Sequence, residues 1–479
     1  MMFTTCEVWG SGGPSVVPLQ PFKGANSSNA TATAAVSAPM TMMTTPESRA
    51  LQQAKNEITF FYEEGKWDDY KKITNPYEYI FLSWNRRSSR SVATRQPLSR
   101  SYFKMIELWK KMELDDLLED LAEKDGGLVT AHAAEGPGGF LEACDVKAFK
   151  QGWNLKAAHA ITLLSEAKNV PGWRKAAQFI EDRPQIQIHT GADGTGNILL
   201  KANQDAFVAN LRAAHPDGAH LFTADGGFDF SNDYNAQEDS VFPLLLAEVL
   251  IGLRVLGKGG AFVIKCFDTR EQPTLDLIWL VSCAFREWGV VKPRTSRGGN
   301  AERYIIGKGF LGDSEDVLAV LEAYQAKAEF KQPVLEMSLC DGWKKTLGML
   351  AGLQEAIEHM EIEVIQETLN LIKHTEPSVI KLLVKSNVMR SIEWCQEHDE
   401  EVAFSWISEL EKNVSREAND LLHILNPSIL AIRRERDNAA STAAAVATFE
   451  SFRSEGSVLP PSHNPFMRLK ATASAAITR

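Results

Sequence analysis

The stretch that most constrains this chain runs from His132 to Cys144 and reads His-Ala-Ala-Glu-Gly-Pro-Gly-Gly-Phe-Leu-Glu-Ala-Cys. An apolar run over 127–134 enters a tight turn, Glu135-Gly136-Pro137-Gly138-Gly139, and a helical pattern begins directly after it. Glycines take backbone angles that other residues resist and let the main chain approach a ligand closely. A strand–turn–helix unit of this kind puts its turn at the carboxyl edge of a parallel sheet, where nucleotide-like ligands bind. The spacing is neither the Gly-x-Gly-x-x-Gly of dinucleotide enzymes nor a phosphate loop, which needs Gly-Lys-Ser/Thr. On these residues alone, an ordinary turn between a strand and a helix is an equal reading.

Further apolar runs follow in the same rhythm. Leu155 to Leu164 reads as a second strand and Gln185 to His189 as a third, ending in the polar turn 190–198 that contains Asp193. His220 to Ala224 runs into Asp225-Gly226-Gly227. An acid beside glycines at a strand's carboxyl end stands where open α/β sheets hold ligands. Ser240 to Leu256 is helix-patterned, and Gly257-Lys258-Gly259-Gly260 is expected to cap it. Ala261 to Ile264 is an apolar strand followed at once by Lys265, and a lysine in that place needs a partner or a function. A helix over 274–288 leads to a strand at 290–292. Thr295 to Tyr304 then joins it to Ile305–Phe310 with no helix between, so these two strands pair antiparallel. The expected fold is α/β: a Rossmann-like parallel sheet with a terminal antiparallel hairpin, followed by an all-α C-terminal region.

At 479 residues there is length for two or three domains. No apolar run reaches the 18 or so residues of a membrane span. A net charge of −11 argues against wholesale nucleic-acid binding, so a polyanion must be met by a local basic patch. The six cysteines are widely spaced without Cys-x-x-Cys, which suits reduced thiols in the nucleus or cytoplasm and gives no metal site. Residues 1–46, rich in Ser, Thr, Ala, Gly and Pro, are expected to be disordered. Residues 47–98 form a helical and arginine-rich extension, in which Arg86, Arg87, Arg90, Arg95 and Arg100 cluster (the last just beyond it) with no acid between Glu78 and Glu107. Such a run suits RNA phosphates better than a plain solvated loop. Ser99 to Leu121 reads as one helix carrying Lys104. Beyond the α/β unit, 99–312, a separate helical region spans 313–437, with Leu347, Leu350, Leu353, Ile357 and Met360 at helical spacing; a tail over 438–479 is expected to be disordered.

Four residues stand out by position: Lys104 on the helix before the first strand, and Asp225, Lys265 and Glu302 at strand ends. Together with Ser99-Arg100-Ser101-Tyr102-Phe103-Lys104, Glu135-Gly136-Pro137-Gly138-Gly139-Phe140, Thr223-Ala224-Asp225-Gly226-Gly227, Val263-Ile264-Lys265-Cys266-Phe267 and Ser296-Arg297-Gly298-Gly299-Asn300-Ala301-Glu302-Arg303-Tyr304, they resemble the FtsJ-like RNA 2′-O-ribose methyltransferases. The wording is similar to the eukaryotic and large-DNA-virus mRNA cap branch rather than the bacterial ribosomal one. The resemblance implies a methyltransferase variant of the doubly wound fold, S-adenosylmethionine as cofactor and RNA, capped mRNA in particular, as partner. It implies a Lys104–Asp225–Lys265–Glu302 catalytic tetrad and cofactor contacts from Glu135, Gly136, Pro137, Gly138, Gly139, Phe140 and Asp225. Where the ribosomal branch carries an acid after its second strand, this chain reads Thr162-Leu163, which leaves Asp193 as the candidate for the adenosine. RNA contacts are expected from Arg86, Arg87, Arg90, Arg100, Ser296, Arg297 and Asn300. The resemblance does not extend over 313–437.

A ribose hydroxyl is a poor nucleophile until its proton is lost, and lysine, with an unperturbed pKa near ~10.4, is mostly protonated at neutrality. Burial and a second cation, Lys104, would lower the pKa of Lys265, while Asp225 and Glu302 oppose that shift; the balance is open from sequence. The expected division of labour has Lys265 deprotonating or steering the 2′-hydroxyl, with Lys104 and Glu302 positioning it and Asp225 holding the cofactor's amino group. The alternatives are an rRNA or tRNA ribose methyltransferase and a non-catalytic RNA-binding module.

Overall fold

The computed structural model describes residues 6–11, 46–62, 65–82, 91–167, 170–227, 237–335, 341–374 and 376–403. The arginines at 86, 87 and 90, the expected helix beyond 403 and the 438–479 tail lie outside the described residues. Two helices, α1 (Pro46–Tyr62) and α2 (Lys66–Ile73), precede α3 (Ser101–Lys111) and α4 (Leu114–Asp125). The α/β unit then alternates: β2 (Leu128–Ala133), α5 (Gly139–Lys150), β3 (Leu155–Ile161), α6 (Ala177–Glu181), β4 (Ile186–His189), α7 (Lys201–Ala214) and β5 (Ala219–Ala224). It closes with α8 (Gln237–Val255), β6 (Leu256–Cys266), α9 (Gln272–Ala284), β7 (Phe285–Lys292) and β8 (Arg303–Phe310). Helices α10 (Glu315–Lys327), α11 (Asp341–Lys373) and α12 (Pro377–Glu397) follow, and β1 (Cys6–Ser11) lies at the chain's start.

The strands form one sheet in the order β1-β7-β8-β6-β5-β2-β3-β4. β6, β5, β2, β3 and β4 run parallel, β8 is antiparallel to both β6 and β7, and β1 is antiparallel to β7. The terminal antiparallel hairpin is therefore present. β2 and β5 are buried along their whole length, as a parallel sheet covered on both faces requires. One apolar core packs α3, α4 and α5 on one face, and a second packs α7, α8 and α9 on the other. From β2 the chain winds outward through β3 and β4, then returns to β5 on the opposite side. The strand order thus reverses between β2 and β5, and the turns after these two strands share one crevice.

Four local expectations change. Residues 6–11, placed in a disordered segment, form β1 because the open edge of β7 offers them a full antiparallel ladder. The single helix expected over 99–121 is broken at Glu113, which takes left-handed angles (φ 53°, ψ 45°) and turns the chain from α3 into α4. Gly257 to Gly260 do not cap α8. They open β6 as a bulge against β5, where a Cβ at 257 would meet the Asp217 carbonyl and one at 260 would lie 2.8 Å from the His220 oxygen. The C-terminal helices are not set apart from the N-terminal extension either. Leu51, Ala54, Ile58 and Trp67 from α1 and α2 share an apolar cluster with Ile365 and Leu369 of α11, and α12 packs on α2 and on the turn at 78–80.

Candidate active site

The turn after β2 is packed from beneath. A Cβ at Gly139 would collide with the hydroxyls of Ser99 and Ser101 and lie 2.8 Å from the Tyr102 nitrogen, so α3 and α5 meet there only because the residue is glycine. Gly138 takes φ 104°, with Trp173 and Leu98 over it. A side chain at Gly136 would come 2.7 Å from the Gly172 carbonyl. These contacts leave a backbone cradle at the carboxyl edge of β2. Glu135 points inward: it accepts from Thr223 Oγ1 and from the Leu141 N–H at 3.2 Å, and it lies 3.3 Å from His132 Nδ1. Its carboxylate thus braces the turn. Phe140 is fully buried against Tyr304, ring centroids 5.7 Å apart, and supports the turn from the core.

Across the crevice, two ion pairs meet. Lys104, on α3, donates to Glu302 at 2.7 Å. Lys265, at the end of β6, donates to the Asp225 carbonyl at 2.8 Å and sits 3.3 Å from its Oδ1. All four side chains are between 10 and 14% exposed, so they are screened yet reachable. Burial would push the pKa of Glu302 up, but Lys104 and Lys265 outweigh it and hold it at about 2. Burial would push Lys265 down, but the carboxyl groups of Asp225, Glu302 and Glu248 outweigh it and hold Lys265 above its ordinary value. Of the opposing influences read from the sequence, the acids win, and Lys265 rests as an ammonium.

A match to the FtsJ-like methyltransferase family model covers residues 97–310, which carry this crevice and both ion pairs. Over residues 97–310 the chain is similar to the FtsJ-like methyltransferases. Among curated relatives, a cap-specific mRNA (nucleoside-2'-O-)-methyltransferase 2 of Danio rerio is 32% identical over 277 residues, 54% of this chain and 34% of that protein. A cap-specific mRNA (nucleoside-2'-O-)-methyltransferase 1 of Dictyostelium discoideum is 32% identical over 255 residues, 50% of this chain and 31% of its own length. One from Leishmania braziliensis is 34% identical over 206 residues, 42% of this chain and 49% of that protein. The chain spans between about a third and a half of the length of these relatives.

The remaining expected residues of the FtsJ-like site divide. Asp193 stands on an exposed loop and accepts from the Thr195 N–H at 2.9 Å, the Thr195 hydroxyl at 2.8 Å and Asn203 Nδ2 at 2.9 Å; these bonds close the loop. Arg100, expected at RNA, turns inward. Its guanidinium donates to the carbonyls of Tyr77, Glu78 and Phe81 at 2.9 to 3.2 Å and lies 3.6 Å from the Glu78 carboxylate. Arg297 forks onto the same carboxylate at 2.8 and 3.1 Å. Ser296 is buried and donates to Asn300 Oδ1 at 3.2 Å. Ser296, Arg297 and Asn300 therefore shape the loop that delivers Glu302.

Three side chains completing the site were not singled out from sequence. Tyr304 donates to Asp225 Oδ1 at 3.1 Å. Lys292, buried in β7 and pushed down to about 8 by burial, donates to Asn300 O, Asn300 Oδ1 and Glu302 O at 2.6, 2.9 and 3.0 Å. Glu248, fully buried on α8 beneath Gly226, is pushed well above the carboxylate range by burial. A lysine inside the strand Val290-Val291-Lys292 was the available signal, by the same reasoning that picked out Lys265.

Proposed function

We propose that this chain is an S-adenosylmethionine-dependent RNA 2′-O-ribose methyltransferase acting on the cap-proximal nucleotide of mRNA. The observation that carries the reading is the meeting of the Lys104–Glu302 and Lys265–Asp225 pairs beside a glycine cradle at the strand-order reversal. The names of the relatives supply the substrate class. The cradle at 136–139 and the Asp225 carboxylate suit a cofactor with a charged amino-acid end, whose ammonium would turn to Asp225. S-adenosylmethionine, when bound, supplies an electrophilic methyl group on a cationic sulfur.

The residues of the chain then act on the nucleophile. Lys265 and Lys104 hold the ribose 2′-oxygen by donating to it, and Glu302 fixes Lys104 in that aim. With S-adenosylmethionine bound, the 2′-oxygen would form its bond to the methyl carbon as the carbon–sulfur electron pair goes to sulfur, and the hydroxyl proton would pass to the neutral amine of Lys265 or to water. An ammonium at Lys265 cannot take that proton; in that form it would steer the oxygen and stabilise charge developing on it. A cationic sulfur nearby favours the neutral amine, the form that can accept the proton.

The test is methyl transfer from labelled S-adenosylmethionine to two otherwise identical short RNAs, one capped and one ending in a 5′-triphosphate, with digestion to place the label. Label on the first or second transcribed ribose of the capped RNA alone is the expected result. Internal or equal labelling would move the substrate to rRNA or tRNA. Lys265→Ala should lower the rate by about 10²–10⁴-fold, the range for a positioned acid–base group. Near-normal transfer by that variant would remove Lys265 from the chemistry.

A further inference from the structure

We propose that Glu78 is a positioning residue that holds Lys104 and Glu302 in register, an inference that rests on the reading of their pair as part of a methyl-transfer site. Glu78 lies outside the family-matched stretch, in the short turn between α2 and α3, and is 5% exposed. Its carboxylate takes the fork of Arg297 at 2.8 and 3.1 Å, lies 3.6 Å from Arg100 and accepts from Asn75 Nδ2 at 2.6 Å.

The two arginines flank the two members of the pair. Arg100 precedes Lys104 by one helical turn at the start of α3, and Arg297 precedes Glu302 in the loop before β8. One carboxylate therefore ties together the two backbone segments whose side chains meet at 2.7 Å. A planar guanidinium held by two parallel bonds carries directional information that a point charge lacks. Two arginines without this acid would repel one another and push the segments apart. Burial would push Glu78 up, but Arg100 and Arg297 outweigh it and hold it at about 2, so the clamp is charged throughout the range in which an enzyme works. A second anchor supports the same loop: Glu107, also on α3, accepts from the N–H groups of Arg294 and Thr295 at 2.8 and 3.0 Å. Losing Glu78 thus loosens the loop's active-site end without detaching it from α3.

The experiment uses the full chain with Glu78→Gln, Glu78→Asp and Arg297→Lys. Amide hydrogen exchange over 297–303 should quicken by about tenfold or more in Glu78→Gln, while exchange over the cradle at 135–140 stays as in the wild type. At saturating capped RNA and cofactor, the maximal rate should fall by about 10–100-fold, the scale of a small misplacement of reacting groups. Cofactor affinity should hold within about twofold. Glu78→Asp, which keeps the charge, should recover part of the rate, and Arg297→Lys, which keeps the charge but loses the fork, should lie between wild type and Glu78→Gln. Unchanged exchange over 297–303 overturns the clamp whatever the activity. A rate loss matched by equal loss of folded protein or of cofactor binding also overturns it. Wild-type protein that transfers no methyl group to any of the RNAs overturns the catalytic reading instead, and the exchange data still judge the clamp.

Discussion

Glu302 is placed so that acid unfolding reports on the site. Its folded pKa, about 2, lies below the ordinary 4.5 because Lys104 and Lys265 outweigh the effect of burial. On acidification the unfolded chain takes up a proton at this position first. The stability that Glu302 contributes is therefore complete above about pH 4.5 and is lost as the pH falls toward 2. A separation of that size corresponds to roughly 3 kcal/mol. Glu302→Gln should be less stable than the wild type at pH 7, and the gap between them should close between pH 4.5 and 2 in denaturant unfolding. A gap independent of pH would refute the pairing. The four residues of the two ion pairs were legible in the sequence because each sits beside something readable: a strand end, a glycine pair or a helix start. Arg100 and Arg297 were legible as arginines but not in role. Their partner, Glu78, is local to neither, and only the fold shows that one buried acid takes both. Lys292 stayed hidden for a like reason, since its acceptors are mainly backbone carbonyls, which no side-chain pattern announces.

Among the elements, the break between α3 and α4 is the clearest departure from local propensity. Lys104 and Glu107 project from α3 toward the loop at 294–302, and the chain must then turn sharply so that α4 can cross beneath β2 and β6. Glu113 makes that turn in left-handed angles with its side chain 73% exposed. Such angles cost a side-chain-bearing residue about 1–2 kcal/mol. Glycine would escape that cost but lose about 0.5–1 kcal/mol to its freer unfolded state. The ion pair from Glu113 to Lys308, at 3.7 Å on the surface, adds little. Glu113→Gly should therefore leave methyl transfer unchanged and raise the unfolding free energy by up to about 1 kcal/mol in urea; a clear loss of stability would show that the side chain, not the backbone, makes the turn. The core strands were readable because a buried parallel strand must be apolar throughout. β1 was not, since six residues gain a strand only by meeting the edge of β7, almost the whole α/β unit away in sequence. In sequence the bulge opening β6 reads as a helix cap because glycines serve both purposes, and only the carbonyls at 217 and 220 decide between them.

On the scale of the whole molecule, α11, outside the family-matched stretch, reaches the loop of Glu302 through the amide of Gln354. Gln354 of α11 accepts at Oε1 from Arg303 Nη1 at 2.6 Å, the Thr269 N–H at 3.2 Å and the Thr269 hydroxyl at 3.1 Å. Its Nε2 donates to Glu358 at 2.9 Å and Asp268 at 3.3 Å. Arg303 is fully buried and follows Glu302 directly, so the loop that carries Glu302 is held by α11 on one side and by Lys292 on the other. Lys55 of α1 joins the same network, 3.3 Å from Glu361 of α11 and 3.9 Å from Asp268. These buried charges link the N-terminal helices, α11 and the sheet, which are therefore expected to unfold together. Replacing Gln354 with leucine keeps the volume but leaves a buried guanidinium and a backbone N–H each short of an acceptor, at a cost of roughly 2–4 kcal/mol. Gln354→Leu should still unfold in a single transition, moved to lower denaturant together when followed by exchange over β6 and over α11. Its methyl-transfer rate should fall more than its cofactor affinity, because the network touches the loop of Glu302 and not the cradle after β2. Separate transitions, with β6 unmoved and only α11 loosened, would show instead that the helices ride on an independently stable α/β sheet.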